Sequence, residues 1–276
     1  MLLRGATLVT RWSAPAPLRV ADVRIADGII TAIGAQLVPG PNEPVVDLQG
    51  GVLAPGFVCG HTHLYSALAR GMPSVDPEPP NGFLKILDKV WWKLDRALDE
   101  PSTRASARMG ALDALRCGTV GLIDHHASPN YVTGSLDTIA DTLRDVGCRA
   151  LLCYETSDRD GIEIRDAGLA ENARFIERCA ADDNNAGWTA GMLGAHASFT
   201  LSDDTLDGLA ALSERYGVGL HVHVAEGADD RRETQTRYGA DLLGRFAERG
   251  LLKPGTIFAH CVDLSEAELA QVTAAG

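Results

Sequence analysis

Two pairs of histidines, each set on an apolar run, could hold a metal ion. His61 and His63 stand one residue apart in FVCGHTHLYSALARGM, and His221 and His223 stand one residue apart in GLHVHVAE. Alternate side chains of a β-strand share a face, so His61 and His63 point the same way. Neutral imidazole nitrogens are good zinc ligands. We therefore expect His61, His63 and His223 to meet around one divalent ion, with a carboxylate and water completing the shell.

Further side chains near these pairs suit hydrolysis by an activated water. Glu226 lies three residues after His223 and could take a proton from that water and deliver it to a leaving group. His260 ends a later apolar run and could orient the attack and stabilise charge. His196 and His126 are assigned as substrate contacts.

Several neighbouring residues allow more than one interpretation. His125 and His126 are adjacent, so only one of them can face the interior of a barrel, and a role for either stays open. Asp124 could be a metal carboxylate, but a structural hydrogen-bonding role is favoured. His221, one layer below His223, is interpreted as a core residue rather than a ligand.

The elements that must position these residues alternate between strand and helix. Helical spacing of apolar residues predicts helices over Lys85 to Leu98 and over Ser135 to Val146. Apolar runs predict strands that end near His63, His126, Glu155, His196, Glu226 and His260. Repeated βα units without a Rossmann glycine fingerprint favour an α/β fold of the (β/α)8 TIM-barrel type, with about six of its eight βα units present. The catalytic face of such a barrel lies at the C-terminal ends of its strands, where seven of the eight histidines fall.

The first part of the chain has a different pattern. Residues 1–52 contain short β-type runs, and Asp27-Gly28 between two of them predicts a tight hairpin. We expect residues 1–52 to contribute to a small β-sandwich and residues 53–276 to form the metal-dependent barrel domain. The proline-rich stretch 71–83 suits a loop over the barrel mouth.

Composition excludes several classes of partner. The net charge of −12 over 276 residues disfavours nucleic acid and anionic lipid. No apolar run approaches the ~18 residues of a membrane span, and the N-terminus does not resemble a signal peptide, so a cytoplasmic protein is expected. The six cysteines form no C-x-x-C pair and are interpreted as reduced thiols.

The motifs together resemble the amidohydrolase superfamily, its cytosine deaminase and triazine hydrolase type, and more closely the SsnA-type aminohydrolases. The resemblance extends from about residue 55 to residue 260, through PGFVCGHTHLYSALARGM, VWWKLDRALDEPS, IDHHASP, GSLDT, YETSDRDG, GAHASFT and GLHVHVAE. It implies a (β/α)8 barrel with a small β-sandwich, one divalent metal and hydrolytic deamination of an aromatic heterocycle. The family's metal ligands match His61, His63 and His223; its proton shuttle, water-positioning histidine and substrate-binding position match Glu226, His260 and His196.

One part of the family pattern is missing from the sequence. The family's fourth protein ligand is an aspartate that ends the eighth strand, whereas this sequence stops about one βα unit after His260. We therefore expect that aspartate to lie beyond residue 276 and the chain to be truncated at its C-terminus. Zn²⁺ is the expected metal, and Fe²⁺ is an alternative because three imidazoles and a carboxylate accept either ion. Relatives commonly self-associate, so the resemblance is compatible with a homo-oligomer.

The leading functional hypothesis is deamination of a purine, pterin or pyrimidine-like ring as a small-molecule substrate. A triazine-type chlorohydrolase with the same mononuclear site and an inactive fragment acting as an interaction module are alternatives. A binuclear amidase is disfavoured, because it uses a carboxylated lysine at strand four. The lysines of this chain, at positions 85, 89, 93 and 253, lie away from the predicted ends of strands three and four.

Overall fold

A computed structural model describes residues 1–10, 18–73, 78–182, 185 and 187–276. Its contacts divide the chain into two compact units, Met1–Phe57 and Val58–Gly276. The predicted loop 71–83 is described only in part, since residues 74–77 lie outside the described residues.

The first unit is a small, mostly antiparallel sheet. Its strands are β1 (Leu2–Leu8), β2 (Arg19–Ala26), β3 (Ile29–Gly34), β4 (Val45–Asp47) and β5 (Val52–Leu53). They lie in the order β3-β2-β1-β4, with β5 also paired to β1. The predicted hairpin is confirmed: β2 and β3 pair antiparallel around Asp27 and Gly28. Both turn residues have a positive φ, 50° and 76°, a conformation that aspartate tolerates and glycine adopts without strain.

The second unit carries the parallel strands. They are β6 (Phe57–Thr62), β7 (Thr119–His126), β8 (Arg149–Thr156), β9 (Thr189–Gly191), β10 (Leu193–Ala197), β11 (Leu220–Val224) and β12 (Ile257–His260). The sheet order is β12-β11-β10-β8-β7-β6, with the short β9 also on β8. Each long strand therefore neighbours the next long strand along the chain, which is the order of a (β/α) barrel.

Helices connect these strands. They are α1 (Phe83–Ile86), α2 (Trp92–Arg96), α3 (Glu100–Arg116), α4 (Ser135–Val146), α5 (Ile162–Ala181), α6 (Asp203–Tyr216), α7 (Ala228–Tyr238), α8 (Leu242–Ala247) and α9 (Glu266–Ala275). The helix expected over Ser135 to Val146 is confirmed at both ends. Strand residues that point away from the barrel interior, such as Leu152, Leu220 and Val222, are buried in apolar clusters with these helices. The fold is thus α/β of the TIM-barrel type, as predicted.

One predicted helix is interrupted. Between Lys85 and Leu98 the chain forms α1, a π-helical turn over Leu87–Trp91, and then α2. A π turn adds a residue to the helical repeat and shifts the side chains that follow it. Trp91, the last residue of this turn, and Trp92, the first residue of α2, both line the same cleft.

Two further observations concern the cysteines and the helices. The six cysteines all fall within the described residues and are free thiols. Within the same described residues, no helix combines the length and the apolar character that crossing a bilayer requires.

Candidate metal centre and active-site cleft

Histidines from the two ends of the sheet order meet at the C-terminal rim of the strands. His61 of β6, His223 of β11 and His260 of β12 place one ligand nitrogen each within 4.8 Å of the others. The ring centroid of His61 lies 5.1 Å from that of His223 and 5.2 Å from that of His260. Because β6 and β12 are the outermost strands of the order, the sheet must curve strongly to bring these rings together.

The pair His63 and His223 has the geometry of two ligands of one ion. The Nδ1 of His63 lies 2.7 Å from the carbonyl oxygen of His125, and the Nδ1 of His223 lies 2.7 Å from that of His196. A carbonyl only accepts, so both Nδ1 atoms carry the proton and both Nε2 atoms of the neutral rings present lone pairs. These two Nε2 atoms face each other at 3.2 Å.

Two facing lone pairs cannot form a hydrogen bond, but they can share a cation. With metal–nitrogen bonds of about 2.05 Å, nitrogens at this separation subtend an angle of about 103° at the ion, near the tetrahedral value of about 109°. Backbone carbonyls that fix the tautomer of a ligand histidine are a common support of metal sites. The donor set of this chain therefore fits a divalent ion.

Burial keeps the ligand rings uncharged. It lowers the pKa of His61 to about 3 and that of His63 to about 4, and it holds the pKa of His223 well below the usual range. The charges of neighbouring histidines add to the same effect. At neutral pH the nitrogens therefore offer lone pairs, which is the form that binds metals.

His125 and Glu155 join the cluster, although neither was predicted as a metal ligand. One candidate set of ligand atoms within 4.8 Å consists of His63, His125, Glu155 and His223. The Nε2 of His125 lies 3.0 Å from the carbonyl oxygen of Ala195, so this nitrogen donates and Nδ1 faces Glu155, at 3.2 Å from Oε2. Glu155 could have been noticed from the sequence as a carboxylate that ends a predicted apolar strand.

Glu226 sits on a strained turn just past β11. The preceding Ala225 has a φ of +49°, a conformation that costs a non-glycine residue about 1 to 3 kcal/mol. The turn is fixed because the Ala225 N–H donates to Asp230 Oδ2 at 2.8 Å. Burial raises the pKa of Glu226, whose Oε2 lies 3.7 Å from Nε2 of His260. His260 itself has a φ of +76°.

A cleft of about 260 Å³ opens over these groups. Its aromatic and apolar wall and its polar floor come from α2, the π-helical turn and the strand ends. The lining residues are His61, Thr62, His63, Tyr65, Leu87, Trp91, Trp92, Asp95, Glu155, His196, His223, Glu226 and His260. Such a concave site with a few convergent polar groups suits a small molecule.

The structure brings most of the predicted site residues to this cleft. His196 lines it, and its Nδ1 lies 2.8 Å from Thr200 Oγ1. The hydroxyl of Thr200 donates to the Ala197 carbonyl, so its oxygen accepts from His196 and leaves His196 Nε2 as an acceptor. His126 does not line the cleft. It packs 6.0 Å from the ring of Tyr65, which does.

The residues with open interpretations have structural contacts. Asp124 is fully buried, and its Oδ1 accepts from the Leu64 N–H at 2.7 Å. His221 is also fully buried, as expected of a core residue, and its Nε2 lies 2.8 Å from Nδ1 of His61.

The sequence of the chain is similar to a known family and to a curated relative. A model of the "Amidohydrolase family" matches residues 52–276. A 5'-deoxyadenosine deaminase of Methanothermobacter thermautotrophicus is 30% identical over 254 residues, which is 91% of this chain and 56% of the relative. The chain thus spans about half the length of this curated relative.

Solved structures show the same fold at lower identity. An atrazine chlorohydrolase from Arthrobacter aurescens, complexed with zinc, matches with a TM-score of 0.79 at 20% identity. The match covers 100% of this chain and 64% of the chlorohydrolase chain. A guanine deaminase from C. acetobutylicum, with guanine bound in its active site, has a TM-score of 0.81 at 16% identity over 99% of this chain and 65% of its own.

Proposed function

The chain belongs to the amidohydrolase family. We propose that it is part of a metal-dependent hydrolase that deaminates an aminated heterocycle. The observation that carries the proposal is the convergence of His61, His63 and His223 with Glu226 and His260 in one cleft. Deaminase relatives and a guanine-bound structural neighbour support a nitrogen heterocycle as substrate.

We assign the metal to His61, His63 and His223. Their neutral rings and the 3.2 Å separation between the Nε2 atoms of His63 and His223 suit one ion. We propose Zn²⁺, in line with the zinc of the chlorohydrolase neighbour, and keep Fe²⁺ as the alternative. When bound, such an ion lowers the pKa of a coordinated water to about 7, which makes hydroxide available at neutral pH.

Glu226 is the proposed proton shuttle. Its carboxylate lines the cleft, and burial raises its pKa, which makes it a better proton acceptor than an exposed carboxylate. It can accept the proton of the attacking water and pass it to a ring nitrogen or to the departing amine. The strained turn at Ala225, held by Asp230, fixes the direction of this side chain.

His260 and His196 complete the site. The Nε2 of His260 lies 3.7 Å from the carboxylate of Glu226, where it can orient the attacking water. His196 offers Nε2 as an acceptor to an N–H of the substrate, while Trp91 and Trp92 supply flat apolar surface for a planar ring. His126 can contribute to binding through Tyr65. The expected cytoplasmic location and self-association stay predictions.

The proposal is tested by ammonia release over a panel of aminated purines, pterins, pyrimidines and 5'-deoxyadenosine. We expect release from at least one class, and a loss of about 10²- to 10⁴-fold in Glu226→Gln with the bound metal retained. Glu233→Gln, on α7 and outside the cleft lining, is the matched control and keeps the activity of the unsubstituted chain.

Other outcomes would separate the alternatives. Chloride release from a chlorotriazine without ammonia release from the panel would favour a chlorohydrolase. Metal-loaded protein that releases neither product, or Glu226→Gln with unchanged turnover, contradicts the proposed reaction or the proposed shuttle.

A further inference from the structure

A chain of buried polar contacts leads away from His61 and has no part in the reaction above. His61 Nδ1 lies 2.8 Å from His221 Nε2, and the other ring nitrogen of His221 lies 3.7 Å from Cys153 Sγ. Cys153 in turn lies 3.6 Å from the carbonyl oxygen of Asp124. His221 and Cys153 are both fully buried, so water does not compete for these contacts.

The protons along this chain can be counted. Each histidine is neutral and carries one ring proton, and Cys153 is a thiol with one proton. In one arrangement His61 Nδ1–H donates to His221 Nε2, His221 Nδ1–H donates to the sulfur, and the thiol donates to the Asp124 carbonyl. Every donor then has an acceptor.

The second arrangement uses the same three protons. His221 Nε2–H donates to His61 Nδ1, and the thiol turns to donate to His221 Nδ1. The proton of His61 must then sit on Nε2, the nitrogen that would otherwise be free for an ion. The Asp124 carbonyl receives no hydrogen bond from the thiol. Only the first arrangement leaves His61 able to act as a metal ligand.

We propose that His221 and Cys153 form a hydrogen-bond relay, anchored on the Asp124 carbonyl, that fixes the tautomer of His61 and holds its Nε2 ready for the metal. Both are positioning residues, because neither one reaches the cleft lining. The relay rests on the proposed metal site. Partners of this kind typically change metal affinity by about 10- to 100-fold when they are removed.

Metal affinity gives the first test. Zinc binding is measured by competition with a chromophoric chelator for the unsubstituted chain, Cys153→Ser and Cys153→Ala. We expect Cys153→Ser, which keeps a donor and an acceptor, to bind like the unsubstituted chain, and Cys153→Ala to bind several-fold more weakly. Cys148→Ala is the matched control. It removes a second fully buried thiol, whose sulfur contacts the Arg149 carbonyl, and it should leave the affinity unchanged.

The tautomers give the second test, which does not depend on turnover. In zinc-loaded protein with ¹⁵N-labelled histidine, imidazole nitrogen shifts distinguish a protonated Nδ1 from a protonated Nε2. The His221 signals are assigned by their loss in His221→Phe, or in His221→Gln if the first variant does not fold. We expect His221 to be protonated on Nδ1, and Cys153→Ala to raise the share of the Nε2–H form.

The two tests separate the relay from the proposed function. Zinc binding with His221 protonated on Nε2, or equal zinc affinities of Cys153→Ala and Cys148→Ala, overturns the relay and leaves the metal site standing. Absence of zinc binding at His61, His63 and His223 overturns the relay and the proposed metal site together.

Discussion

The buried His196 makes stability depend on pH in a way that can be isolated. Burial lowers the pKa of His196 to about 4, against about 6.5 for an unperturbed histidine. Between these two values the unfolded chain takes up a proton that the folded chain does not. His196 therefore contributes its full stability above about pH 6.5, and the contribution falls as the pH is lowered toward about 4.

The size of the effect follows from this difference. Each pH unit within the window costs about 1.4 kcal/mol, so lowering the pH from 7.5 to 5.0 removes about 2 kcal/mol. Other buried groups act in the opposite direction: burial raises the pKa of Asp124 and of Asp230 to about 7, and these carboxyls take up protons more readily when folded. The total pH profile is thus a sum of opposing contributions, and a comparison with a variant is needed.

The assay is urea unfolding of the metal-free chain and of His196→Asn at pH 7.5 and 5.0. We expect the free energy of unfolding of the unsubstituted chain, relative to that of the variant, to fall by about 2 kcal/mol over this interval. Between pH 7.5 and 8.5 the same difference should stay constant, since both states are then deprotonated at this position. A difference that does not change down to pH 5.0 would falsify the assignment of a buried, neutral His196.

Three further predictions concern the metal and the packing. In a dye-based melting assay, zinc should raise the midpoint of thermal unfolding of the unsubstituted chain, because only the folded chain brings the metal ligands together. The midpoint of His63→Ala should hardly change, because this variant lacks one of the proposed ligands. In urea unfolding, Gly194→Ala should lower the free energy of unfolding by about 2 kcal/mol, because the new Cβ would lie 2.3 Å from a carbonyl oxygen of β8. Gly60→Ala should lower it little, because no atom lies within 4 Å of the new Cβ. Arg245→Met should lower the free energy of unfolding by about 3 kcal/mol, because the buried guanidinium donates to two carbonyls just after β10. Arg232→Met should change it by no more than about 0.5 kcal/mol, because the Arg232 side chain is 61% exposed. Equal losses within either pair of variants would contradict the packing described.

Much of the barrel could be predicted because the inner parallel strands β7, β8, β10 and β11 are largely buried on both faces. Such strands are short apolar runs, and the polar residue that ends each run marks the rim where chemistry is placed. His126 and His260 end β7 and β12 as expected, and His63 directly follows β6. The alternation of side chains along a strand was enough to align His61 with His63 and to separate His223 from Val222 and Val224.

Other features depend on contacts between distant parts of the chain. The π-helical turn over Leu87–Trp91 departs from the regular helical spacing that the sequence suggests, and the two adjacent tryptophans at its end both line the cleft. Of the adjacent pair at the end of β7, His125 rather than His126 enters the imidazole cluster. Sequence alternation leaves this choice open because it fixes the relative directions of neighbours and not which face is inside.

By itself, then, the sequence determined the strand ends, the set of histidines at the rim and the acidic residue beside them, because burial and strand geometry act over a few neighbouring residues. Only the tertiary structure decided which ring nitrogens face one another, that Glu155 joins the cluster, and that His221 and Cys153 lie behind His61. These contacts join β6, β8 and β11, whose residues are far apart in the chain. Their distances depend on how the whole sheet curves, which no local pattern specifies.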